Sequence, residues 1–152
     1  MDQKTVGIYS SNSVAKTPTL AYKNDVGYDL YAVDDYEILP GEMVEVHTGI
    51  HLVMPPDLFA QINTRSSFGK SGLIVHHGVI DSGYTGPLTL WISNFIAIRD
   101  ENGALRRTPY YIKKGDRVAQ LLFHTAERPV LESLDTLPTT ERGKKGYGSS
   151  GK

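Results

Sequence analysis

Residues 78–86 read GVIDSGYTG and hold the arrangement best suited to chemistry. A short apolar run, Val79 and Ile80, delivers the carboxylate of Asp81 into a turn marked by Ser82 and Gly83, and Tyr84 follows three residues after the acid. The flanking apolar residues read as strand and Gly83 as a turn residue, so the pattern predicts a hairpin with Asp81 at its tip. A carboxylate held rigidly there and facing a cleft suits a general base, which must meet its proton at hydrogen-bond range. Asp and Gly are also ordinary hairpin residues, and taken alone the segment fits a purely structural role.

A second cluster is NTRSSFGKSGL, residues 63–73. Arg65 precedes two hydroxyls, Ser66 and Ser67, and a stretch long enough for about a turn and a half of helix before Gly72. Ser66 or Ser67 is expected to cap that helix, and free amides, hydroxyls and an arginine together suit a phosphate. The plain reading is an N-cap beside a surface arginine. In VGYDLYA, strand alternation sets Tyr28 and Leu30 on the face opposite Asp29, and the local pattern favours an exposed acid over a site group. In KKGDRVAQLLF, a turn at Gly115-Asp116 leads into a buried strand with Gln120 as its polar intruder. A buried glutamine needs partners in the core, at an interface or on a ligand.

Three patterns are set aside. Gly69-Lys70-Ser71 ends like a nucleotide-binding P-loop, but that motif needs Gly where this chain has Thr64. The tail segment GYGSSG fits GxGxxG with no helix able to follow it before Lys152. His47 and His51 have the spacing of a helical metal pair, yet Gly49 and the β-branched surroundings argue against the helix and so against zinc.

The elements that must position these residues read as strands. Runs at 5–9, 28–33, 43–47, 51–54 and 58–62 are separated by Asn24-Asp25, Pro40-Gly41 and Pro55-Pro56-Asp57, which indicates an all-β fold. PLTLWISNFIAI alternates cleanly and predicts a strand pair, with Trp91, the single tryptophan, in a packing role. Residues 99–111 read as a polar hairpin tip around Asn102-Gly103, with Arg106 and Arg107 solvated.

At 152 residues the chain suits one domain. No stretch approaches the roughly 18 apolar residues of a membrane span, and MDQKTVGIYSSNSV has no secretory pattern. The absence of cysteine excludes disulfides and thiolate zinc sites and fits a reducing compartment. Net charge is −1 but uneven: residues 1–60 hold three Lys and nine acids, residues 61–152 thirteen Lys or Arg and eight acids. That bias is too mild and dispersed for a nucleic-acid groove. The tail differs, because Arg142, Lys144, Lys145 and Lys152 fall within residues 142–152 with four glycines and no acid, a flexible cationic strip suited to a polyanion.

Five segments, VGYDL, RSSFGKSG, GVIDSGYTG, GDRVAQLLF and RGKKGYGSSG, resemble in order the five motifs of the trimeric dUTP diphosphatase (dUTPase) family, over nearly the full length. The resemblance implies an all-β, dUTPase-like jelly roll: one domain over residues 1–137, a flexible tail over 138–152, and a homotrimer whose three sites draw on different subunits. It implies hydrolysis of dUTP to dUMP and diphosphate by water attack on the α-phosphorus, which limits uracil in DNA and supplies dUMP for dTMP synthesis. Asp81 would activate the water and Tyr84 would pack on the deoxyribose, leaving no room for a 2′-hydroxyl. Backbone groups of Gly78, Val79 and Ile80, with Thr89, would meet the uracil edge. Arg65, Ser66, Ser67 and Gln120 would hold phosphates, Arg142 would reach the γ-phosphate, and Tyr147 beside Gly148 would stack on uracil. Asp29 would support through waters of a Mg²⁺ held mainly by the triphosphate itself.

The implied partners are dUTP and further copies of the chain, with neither nucleic acid nor membrane, in the cytoplasm or, for a eukaryotic or viral chain, the nucleus or host cell. Val26, Tyr147 and Ser150 stand where the family more often has Ala, Phe and Thr, and the 99–111 segment is longer than usual. His76 and His77 lie beside the expected base pocket, either as ligands or incidentally. A dCTP deaminase shares the pattern but needs a glutamate where this chain has Trp91. A catalytically idle nucleotide-binding relative is a second alternative, and a nucleic-acid-binding module, marked by a steep salt dependence of DNA affinity, a third.

Overall fold

The computed structural model describes residues 4–141, 143 and 144. The chain runs β1 (Gly7–Ser10), β2 (Tyr28–Tyr31), β3 (Tyr36–Ile38), β4 (Met43–His47), β5 (Ile50–Val53), β6 (Leu58–Asn63), α1 (Ser66–Ser71), β7 (Leu73–Val75), β8 (Gly78–Ile80), β9 (Thr89–Asn94), β10 (Ala97–Arg99), β11 (Leu105–Arg107), β12 (Tyr110–Ile112) and β13 (Arg117–Thr125). Two sheets organise it: a four-stranded one in the order β2-β13-β6-β8 and a three-stranded one in the order β4-β9-β7. Smaller antiparallel pairs, β1-β5, β3-β12 and β10-β11, complete the β jelly roll.

Alternation explains the layering. On β6, Leu58, Ala60 and Ile62 point inward while Phe59, Gln61 and Asn63 are half-buried, the period-2 signature of a strand with one covered face. Leu30, Ala119 and Leu121 of the larger sheet and Val46, Leu73, Val75, Leu90 and Ile92 of the smaller one meet in one buried cluster. Residue for residue, burial of such side chains contributes about 1.5–3 kcal/mol each. Asn94 sits fully buried at the end of β9, its amide donating to the carbonyls of Ile38 and Thr108 at 2.8 Å and its oxygen accepting from Ile96 N–H at 2.9 Å. A polar side chain so completely satisfied staples β9 to the β3 and β12 region.

Two expected pairings are corrected. Strand β8 pairs with β6 and strand β9 with β4 and β7, so residues 81–88 cross between sheets and Asp81 is not at a hairpin tip. The crossover is fixed at its far end, where Leu88 N–H donates to Ile50 at 2.8 Å and the buried Thr48 hydroxyl donates to the Leu88 carbonyl at 2.7 Å. PLTLWISNFIAI likewise forms two strands that do not pair with each other; β10 pairs with β11 instead. Only Phe95 and Ile96 separate β9 from β10, and they supply none of the Gly or Asn that a two-residue turn requires. Trp91 faces outward on β9 rather than packing inside. The β10-β11 hairpin does turn at Asn102-Gly103, where Gly103 takes φ +79° and Asp100 accepts from the N–H groups of Asn102 and Ala104.

Candidate functional site

The Asp81 side is a cleft of about 180 Å³ lined by Val79, Ile80, Asp81, Tyr84, Pro87, Leu88 and Thr89. Five of the residues singled out from sequence are thereby brought together, and Gly78 begins the strand that carries them. Strand β8 delivers Asp81 at its end, and the Asp81 carbonyl accepts from Tyr84 N–H at 3.0 Å, closing the turn. The Tyr84 hydroxyl donates to the Pro87 carbonyl at 3.1 Å, which lays the ring back along its own loop. Asp81 is exposed at the edge of this cleft.

The Arg65 side is built differently. Asp29, expected as an exposed strand acid, is 3% exposed. Its two oxygens accept from Arg65 Nε at 3.1 Å and from an Arg117 guanidinium nitrogen at 3.2 Å, while Arg65 also donates to the Arg117 carbonyl at 3.0 Å. One buried carboxylate therefore holds two cations at the mouth of a pocket lined by Arg65, Ser67, Phe68, Ser71, Tyr110, Asp116 and Arg117. Burial explains the arrangement: an ion that far from water persists only when paired. Alternation failed at Asp29 because both faces of β2 are covered, Leu30 by the core and Asp29 by the arginines.

Helix α1 forms as expected and ends at Gly72, whose φ of +97° suits only glycine there. Its N-cap position is Arg65, with no side-chain cap, so neither Ser66 nor Ser67 plays that part. Both hydroxyls remain exposed, and Ser67 lines the pocket. Gln120 lies opposite Asp29 on one side and Asn63 on the other. Its amide packs on Gly27, where an added Cβ would come 3.2 Å from Cδ, and among the described residues it makes no side-chain hydrogen bond.

His76 and His77 both bind protein groups, His76 Nε2 with the Ser93 hydroxyl at 2.8 Å and His77 Nδ1 with the Asn63 side-chain oxygen at 2.5 Å. Arg142, Tyr147 and Gly148 lie outside the described residues. Arg117 and Tyr110 are pocket residues that sequence reasoning missed. Arg117 was legible only as the first residue of the strand carrying Gln120, and Tyr110 carried no signal beyond being aromatic in a polar stretch.

Comparison with known proteins decides between the readings. The family model described as dUTPase matches residues 13–151. This chain belongs to the dUTPase family. A deoxyuridine 5′-triphosphate nucleotidohydrolase of monkeypox virus is 36% identical over 137 residues, covering 90% of this chain and 84% of its own length. The dUTPase of Staphylococcus bacteriophage 80alpha with dUpNHpp superposes with a TM-score of 0.85 at 26% identity, over 98% of this chain and 99% of that one. A mutant dUTPase of phage phi11 of S. aureus, described for its coordination of a structural Mg(II) ion, shares the fold with a TM-score of 0.75 at 23% identity, over 87% of this chain and 97% of that one.

Proposed function

We infer that this dUTPase-family chain hydrolyses dUTP to dUMP and diphosphate. The observation that carries the reading is the pairing of a strand-end carboxylate beside an aromatic-walled cleft, Asp81 with Tyr84 and Thr89, with a separate arginine pocket held by Asp29. Asp81 accepts a proton from water, the water oxygen bonds to the α-phosphorus, the bridging bond to the β-phosphate breaks, and diphosphate leaves. Positioning and neutralisation of charge supply most of the acceleration, so one carboxylate suffices as base.

Arg65, Ser66, Ser67 and Gln120 bind phosphates, and Arg117 lies beside Arg65 and Ser67 in the pocket. Tyr84 packs on the deoxyribose, and the main chain of Gly78, Val79 and Ile80 with Thr89 reads the uracil edge. Arg142, Tyr147 and Gly148 close over the nucleotide from the tail, residues 138–152, which forms a unit apart from the domain at 1–137. Mg²⁺ bound to the triphosphate would offset part of its charge, and Asp29, both of whose oxygens are engaged by arginines, would support it only indirectly.

Assembly as a homotrimer with shared sites is supported by two features. The Asp81 cleft and the Arg65 pocket have no lining residue in common. Val130, Leu131 and Leu137 are 95%, 91% and 82% exposed, an apolar run that a second copy would cover. No helix among the described residues is long and apolar enough to cross a membrane. The place of work under this reading is where deoxynucleotides are made or used, the cytoplasm or a nucleus.

Hydrolysis in ¹⁸O-labelled water tests the reaction. Label in dUMP is expected; label confined to diphosphate would move the attack to the β-phosphorus and remove Asp81 from the assigned role.

A further inference from the structure

The loop that carries Tyr84 is held from outside its own motif. His51, on β5, is half-buried, and its Nδ1 donates to the Thr85 carbonyl at 2.9 Å. A carbonyl only accepts, so Nδ1 carries the proton. Tyr9, paired with His51 across β1 and β5, sets its ring edge against the imidazole at 5.4 Å between centroids and 64° between planes. The imidazole is thus fixed on one side by an aromatic neighbour and tied on the other to the peptide immediately after Tyr84. At Gly86 an added Cβ would fall within 3.0 Å of the Tyr84 ring, so the ring rests on bare backbone. Its hydroxyl reaches the Pro87 carbonyl across that bed.

We propose that His51 is a positioning residue for sugar discrimination: by holding the Thr85 carbonyl it keeps the Tyr84 ring seated over Gly86, at the depth that admits a deoxyribose and refuses a ribose. This rests on the assignment of Tyr84 to the sugar. Without the latch the loop keeps its anchor at Leu88 but loses the one beside Tyr84, and the ring gains room to retreat from a 2′-hydroxyl. His51 touches no substrate in this arrangement; it acts through Thr85.

The test compares kcat and KM for dUTP and UTP in the full-length protein and in His51→Leu, His51→Asn and Tyr84→Ala. Leucine removes the donor at similar size, whereas asparagine returns an N–H close to the place of Nδ1. His51→Leu is expected to lower the dUTP/UTP ratio of kcat/KM by about tenfold, the scale of one lost hydrogen bond, with UTP turnover rising. His51→Asn is expected to restore most of the ratio, and Tyr84→Ala to abolish it. An unchanged ratio in His51→Leu beside a collapsed one in Tyr84→Ala overturns the latch and leaves the Tyr84 assignment standing. An unchanged ratio in Tyr84→Ala overturns both. Equal loss on dUTP and UTP in His51→Leu, unrescued by asparagine, makes His51 a structural residue only and overturns the proposal. Should His51→Leu fold poorly, His51→Phe, which keeps a ring against Tyr9 and removes the donor, gives the decision: a lowered dUTP/UTP ratio supports the latch and an unchanged one overturns it.

Discussion

Around Asp29 the chain positions its groups by side-chain charge, whereas around Asp81 it uses the main chain. The first region has a carboxylate at 3% exposure gripping Arg65 and Arg117, with both arginines on different strands or loops. The second has an exposed carboxylate at a strand end, a turn closed by Tyr84 N–H and a crossover anchored at Leu88. Under the proposed function, the difference follows from what each region would bind. A triphosphate needs fixed positive charge, which is stable only if its counter-charge is buried and paired. A general base needs freedom to meet water, and its precision comes from backbone geometry rather than from an ion pair that would engage its lone pairs. Substitution should therefore separate the two sides: chemistry is lost at Asp81, and structure together with phosphate affinity at Asp29.

The largest effect is expected from Asp81→Asn, which keeps the shape of the turn and removes the base. Turnover should fall by roughly a thousandfold or more while affinity for a non-hydrolysable analogue stays within about tenfold. Titration calorimetry beside a turnover assay checks this, and joint loss of binding and activity would return Asp81 to structure. Deleting residues 142–152 should come next. A loss of about a hundredfold in kcat/KM is expected with assembly state and melting temperature unchanged, because under the proposed function the deletion removes closure without touching the described core. Light scattering and kinetics on the truncated chain decide it; full activity would contradict the tail's role.

Asp29→Asn should show the opposite balance. Removing the shared counter-ion leaves Arg65 and Arg117 facing each other, and a loss of about 2–3 kcal/mol is expected, lowered by solvent at the half-exposed Arg117. KM for dUTP should rise while the residual kcat survives better than in Asp81→Asn. A denaturant series and steady-state kinetics measure the two parts. The smallest effect concerns the β10-β11 hairpin, remote from this contrast. The Arg106 guanidinium first, against an opposing desolvation that outweighs either amide alone, and with the help of the Ala104 and Asn102 N–H groups, holds Asp100 below the ordinary carboxylate value of 3.8. A depressed folded-state value means the contribution is complete above 3.8 and is lost as pH falls through the lower folded value. Amide protection of Asn102 and Ala104 should drop over that acid window, before the core melts.

How much of this was legible in sequence varies with the kind of signal. Strands with clean alternation, such as 58–62, and turns with a glycine at positive φ, such as Gly72 and Gly103, stood out because local geometry alone fixes them. The Asp81 cleft was legible as a set of residues but not as a topology. Apolar–turn–apolar is the pattern of a hairpin, and only the Leu88–Ile50 and Thr48–Leu88 hydrogen bonds, long-range in sequence, turn it into a crossover. Asp29 was misread for the same reason: its burial depends on Arg65 and Arg117, respectively 36 and 88 residues away, and no window on β2 contains them. His51 showed only the spacing of a metal pair and Arg117 only its place at the start of the Gln120 strand, since each matters through a partner that the fold supplies.

The most direct test of the account is release of diphosphate and ammonia from dUTP, dCTP, dTTP and UTP at equal concentration with Mg²⁺. Diphosphate from dUTP alone is predicted, which would support the base, the uracil pocket and the sugar wall together. Ammonia from dCTP, or no product from any of the four, would contradict it.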